Sequence, residues 1–170
     1  MTCAYAVVMI GVIYFTRPVP RRIVGALLGG AVAGLLMMAM IAGGERIGWW
    51  HWQFPVSSAA GFTILFFLGC AISSAPIYLV TWRVARRFGG RGLSVSFGVA
   101  AVIGPPRDYL IARIYPEWGG FASGIGPVIA DSVAYVVFMV AGHAVMRIIA
   151  GPACADHLVR QSLPARWSSS

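Results

Sequence analysis

The sequence predicts an all-α, polytopic transmembrane helix bundle of about five spans. Three observations predict it. Hydrophobic residues make up 59% of the chain and charged residues only 11%, less than half the charged share of an average soluble domain. The apolar residues also fall in long blocks, without the period of 2 or 3.6 that marks elements half-buried against water. Finally, the gaps between blocks carry arginines, and these sort to alternate sides of the chain's path.

The first span, residues 4–15, ends at Arg17, Arg21 and Arg22 with Pro18 and Pro20 among them. A cleaved signal peptide carries its charge before the apolar stretch and a small-residue site after it, so this segment reads as an anchor with its N-terminus outside. The second span, residues 23–44, is roughly 33 Å of helix against a hydrocarbon core of roughly 30 Å. Its Gly25, Gly29, Gly30 and Gly34 permit close helix contact, either within the chain or with a second copy or another membrane protein.

The third span, residues 60–82, is expected to kink near its end at Pro76. The fourth, residues 93–115, is interrupted by Gly104-Pro105-Pro106. Two prolines there remove two backbone donors and leave the carbonyls of Ala101 and Val102 without helical partners, so a break is predicted. The fifth, residues 127–150, opens on Pro127, which is tolerated in a first helical turn. Residues 1–151 thus form one transmembrane domain, and residues 152–170 are expected to be a disordered cytoplasmic tail.

Orientation follows from the arginines. All thirteen basic residues are arginine. Three follow the first span, four (Arg83, Arg86, Arg87, Arg91) follow the third, and Arg160 and Arg166 lie in the tail beside Arg147. Only Arg46 and Arg113 occupy loops on the other side. An N-out, C-in topology in a bacterial cytoplasmic (inner) membrane results. The net charge of +8 is accordingly read as facing anionic lipid, and no nucleic-acid partner is expected.

Charged groups within hydrocarbon cost about 2.5 to 3.5 kcal/mol each on insertion scales, so those retained there are the leads to function. Arg107 and Asp108 in the fourth span and Asp131 in the fifth share the outer half of the membrane. Glu45, His51 and Arg113 lie at its rim. His51 belongs to a run, Trp49-Trp50-His51-Trp52, suited to the headgroup level. His143 lies toward the cytoplasmic end of the fifth span and faces no second intramembrane histidine, so no haem is implied. Cys3, Cys70 and Cys154 have no metal-ligand spacing, and no metal or other cofactor is expected. No phosphate-binding loop, nucleophile elbow or zinc-protease motif occurs.

Three functional classes are compatible with this pattern. One is transport or the handling of protons or a small solute through a polar pocket built on Arg107, Asp108 and Asp131. Another is a membrane enzyme acting on a lipid or isoprenoid, with Asp108, Asp131 or Glu45 as general acid or base. The last is a structural or accessory subunit in which the charges only lock the helices together.

Overall fold

The computed structural model describes residues 2–52 and 59–152. It is mostly helical, with three apolar helical stretches long enough to cross a membrane, Pro20–Arg46, Thr63–Ile114 and Ile125–Ala150. In chain order the elements are α1 (Thr2–Thr16), α2 (Pro20–Arg46), β1 (Trp50–Trp52), α3 (Ala59–Ile114), β2 (Gly119–Phe121) and α4 (Ile125–Ala150). Apart from Pro152, the tail expected at 152–170 lies outside the described residues, as do Gln53 to Ser58.

Local chemistry sets the boundaries. Val19 is extended, at ψ 150°, because proline follows it, and Pro20 then opens α2 where a missing N–H costs little. The helix closes at Gly48, whose φ of 72° brings its N–H to the Glu45 carbonyl at 3.1 Å while Trp49 N–H reaches Gly44 at 2.9 Å. Gly151, at φ 80°, caps α4 in the same manner through the Arg147 carbonyl.

The 56 residues of α3 would measure roughly 84 Å if straight at about 1.5 Å per residue, but they form two arms. Gly89, at φ 64° and ψ −153°, leaves the helical region, in a conformation nearly confined to glycine. The contacts with α4 show the reversal. Tyr78 meets Phe138 and Thr81 meets His143, so the first arm, residues 59–88, runs parallel to α4. Phe97 meets His143 and Arg107 meets Tyr135, so the second arm, residues 90–114, runs antiparallel to it. The basic loop expected over residues 83–92 therefore shrinks to one glycine, and its arginines extend from the flanking helical turns.

The break predicted at Gly104-Pro105-Pro106 does not occur: both prolines sit within continuous helix, and the interruption is at Gly89. Proline's fixed φ is itself helical, and what it loses is a hydrogen bond. Packing against α4 holds the segment. Gly104 and Pro105 are buried, and Gly104 lies so close to the Tyr135 ring that a Cβ would overlap it.

Small residues hold the bundle together. Gly25 and Gly29 of α2 lie against the backbones of Met146 and Gly142 in α4, whereas Gly30 and Gly34 lie against Ala71 and Phe67 with Cys70 in the first arm of α3. The glycine face is thus filled from within the chain. Tyr78 packs over Gly142 and donates its hydroxyl to the Phe138 carbonyl at 2.9 Å. Large aliphatic groups point outward instead: Val102 is 73% exposed and Ile148 81%, while Ala26 and Ala75 are fully buried. An apolar exterior of this extent is foreign to soluble monomers and compatible with a membrane.

One element has no counterpart in the sequence reading. The loops after α2 and α3 pair as a two-stranded antiparallel sheet, with Trp50 opposite Phe121, His51 opposite Gly120 and Trp52 opposite Gly119. The end of the molecule where this sheet lies, the sheet end, is therefore opposite the Gly89 end.

Candidate functional site

Below the sheet, α3 and α4 bring Arg107, Asp108 and Tyr135 together. Arg107 donates through Nε and Nη2 to Asp108 Oδ1 at 2.8 and 2.6 Å, and Nη2 also meets the Tyr135 hydroxyl at 2.5 Å. The Tyr135 hydroxyl donates to Asp108 Oδ2 at 2.7 Å. Both oxygens of Asp108 are thus engaged. The guanidinium also lies 5.5 Å from the centre of the Tyr135 ring, close enough for a cation–π contact. Of the two ion pairs available to Arg107 in the sequence, the structure forms the one with Asp108.

Asp131 is left over from this network. It lies one turn before Tyr135 on the same face of α4 and within electrostatic reach of Asp108, Arg107 and Tyr109. Its Oδ2 is buried without a hydrogen-bond partner among the described residues, and so is the Tyr109 hydroxyl. Native structures leave few such atoms, and each calls for an explanation. Tyr109 in turn stacks on Phe121 of β2, with ring centres 4.2 Å apart and planes at 18°. The sheet therefore covers the Tyr109 side of the polar cluster, while the Arg107 side chain remains 56% exposed.

The sheet is fixed from below by α2. Glu45 Oε1 accepts the Trp52 N–H at 3.0 Å, and the Trp50 indole donates to the Ile41 carbonyl at 3.2 Å. Gly44 leaves the space that the Trp50 indole fills. Glu45 thus anchors the sheet rather than entering the cluster. His51 is exposed on β1 with its ring against Gly120, and Arg113 is exposed on the last turn of α3.

His143 stands apart, toward the Gly89 end. Its Nδ1 is 3.1 Å from Thr81 Oγ1, and its ring meets Phe97 edge-on. It lines a cavity of about 260 Å³ with Arg22, Trp82, Gly89, Gly90 and Arg147 among others.

The sequence-predicted set therefore divides. Arg107, Asp108 and Asp131 are brought together, while Glu45, His51, Arg113 and His143 are not part of that cluster. Sequence reading missed Tyr135 and Tyr109, although Tyr135 is four residues after Asp131 and so had to share its face. Among the described residues, no three His, Cys, Asp or Glu side chains are grouped as metal ligands. Comparison of the chain with protein-family models, curated proteins and solved structures returns no match.

Proposed function

We propose that this chain crosses a bacterial cytoplasmic membrane five times, N-out and C-in, and that it exchanges protons, alone or with a small polar solute, at Asp131 on the outer side. The two arms of α3, roughly 45 and 37 Å at about 1.5 Å per residue, are each long enough to cross. α1 provides the fifth crossing where the bilayer thins locally around its short apolar stretch. This arrangement sets Arg17, Arg21, Arg22, Arg83, Arg86, Arg87, Arg91 and Arg147 on the cytoplasmic side, as the positive-inside bias demands.

The observation that carries the functional reading is the unpartnered Asp131 Oδ2 beside a network that is already complete without it. Were the charges only a lock between α3 and α4, Arg107, Asp108 and Tyr135 would suffice. A further carboxyl in the span costs about 2.5 to 3.5 kcal/mol and adds no bond to that lock. It supplies a group that can take up and release a proton, with Tyr109 within electrostatic reach and the sheet packed on the far side of Tyr109.

The test is proton entry into liposomes that hold a pH-sensitive dye and the purified protein. Wild-type vesicles are expected to respond to an imposed pH gradient faster than empty ones, and Asp131→Asn vesicles at the empty-vesicle rate. Equal rates in wild type and Asp131→Asn would remove Asp131 from the reading.

A further inference from the structure

At the Gly89 end, chain segments distant in sequence converge on the cavity of about 260 Å³. Its lining includes two arginines, Arg22 from the start of α2 and Arg147 from the end of α4, and among the described residues no carboxylate lines it. The Arg22 side chain is held in place: its residue is 1% exposed, Nη1 donates to the Gly151 carbonyl at 2.8 Å, and the guanidinium lies 5.3 Å from the Trp82 ring centre. A buried guanidinium fixed in this way keeps its planar fork pre-organised.

Two further features suit an anion. The second arm of α3 begins at Gly90, and Gly89, Gly90 and Leu93 form part of the wall. The cavity thus faces a helix N-terminus, where first-turn N–H groups lack intrahelical acceptors and the helix dipole favours negative charge. Because Gly89 and Gly90 carry no side chains, a ligand can approach that backbone closely. Independently, Trp82 is 2% exposed and lines the cavity, and its indole Nε1 is a buried donor with no partner among the described residues.

We propose that this cavity binds a phosphate group, carried either by an anionic lipid headgroup or by a free phosphate. Arg147, exposed on the last turn of α4, closes on the phosphate oxygens. The charge of Arg22, whose Nη1 and Nη2 donate to the Gly151 and Pro152 carbonyls, and the Gly90 helix start favour them from behind, and Trp82 offers its N–H at the inner wall. This site lies at the opposite end of the bundle from Asp131 and is independent of the proton-exchange reading.

The test uses the full chain in detergent and two probes. Inorganic phosphate is titrated calorimetrically, and native mass spectrometry records lipid retained from nanodiscs of phosphatidylglycerol mixed with phosphatidylcholine. Loss of one charge-assisted bond should weaken binding roughly tenfold or more. Arg147→Gln and Trp82→Phe, which keeps the ring and removes the donor, are therefore each expected to lose affinity by that factor. Arg46→Gln, at the sheet end, should not. Retention of phosphatidylglycerol over phosphatidylcholine identifies the lipid source, and binding of inorganic phosphate the free one. No binding of either probe, or losses no larger than that of Arg46→Gln, would overturn the proposal.

Discussion

Gly142 is where the packing of the bundle can be tested most sharply. A methyl group placed there would fall on the Tyr78 ring and hydroxyl, and a Cβ at Gly29 would likewise strike the Gly142 backbone. Tyr78 cannot simply retreat, because it is 1% exposed and its hydroxyl is bound to the Phe138 carbonyl. Gly142→Ala must therefore separate α4 from the first arm of α3. Overpacking of this kind costs about 1 to 3 kcal/mol, and loss of the tyrosine hydrogen bond adds about 0.6 kcal/mol within a membrane. A destabilisation of about 1.6 to 3.6 kcal/mol is expected on those grounds, read by reversible SDS unfolding in mixed micelles. Gly98→Ala, where nothing lies within 4 Å of the added carbon, serves as the control and should be neutral or stabilising. In a Tyr78→Ala background the cost of Gly142→Ala should largely vanish. A Gly142→Ala protein within about 0.5 kcal/mol of wild type, the range of an uneventful surface change, would refute the packing described.

Other substitutions probe the turn, the sheet and the polar cluster. Gly89→Ala should destabilise by about 1 to 3 kcal/mol because no L side chain is comfortable at that φ and ψ, whereas Gly90→Ala, with open space around it, should not; the same SDS titration compares them. Gly44→Ala should expel the Trp50 indole and uncouple the sheet from α2, seen as faster amide hydrogen exchange at His51 and Gly120 with exchange in the centre of α2 unchanged. Tyr135→Phe removes the hydroxyl shared by Arg107 and Asp108 and should cost about 1 to 2 kcal/mol, less than a fully buried charged bond because Arg107 is partly exposed. A cost indistinguishable from zero would show that the Arg107 and Asp108 pair does not depend on its bridge.

Much of the helical layout was legible because its signals are local. Residues 23–44 and 127–150 lie within α2 and α4, and Pro20 and Gly151 punctuate them as their backbone chemistry requires. Gly104-Pro105-Pro106 does not break the helix as predicted, because the Tyr135 ring of a distant segment packs on Gly104, a contact that the local loss of hydrogen bonds does not reveal. Conversely, Gly89 lies in the arginine-bearing gap between the third and fourth predicted spans, but a one-residue reversal there depends on a dihedral pair that composition does not specify. The sheet was hidden for a related reason. Its strands are three residues each, separated by all of α3, and Trp50 to Trp52 has an equally sound interfacial reading.

The candidate site was legible in its charges and not in its partners. Arg107, Asp108 and Asp131 are conspicuous in apolar surroundings, but which carboxylate the arginine takes depends on Tyr135, reached only when α3 and α4 lie side by side. The cavity at the other end was beyond sequence reading altogether. Arg22, Trp82, Gly89 and Arg147 come from separate segments, and each has an ordinary place at a membrane edge when taken alone.

The sheet end and the Gly89 end are expected to face opposite sides of a membrane, which two-sided cysteine labelling measures directly. In intact cells of a background lacking the native cysteines, an impermeant maleimide should modify Ser123→Cys at once and Gly90→Cys only after the membrane is opened. Labelling of Gly90→Cys from outside with Ser123→Cys protected would invert the bundle and put Asp131 on the wrong side. Equal labelling of both positions in intact cells would contradict the membrane-spanning arrangement itself.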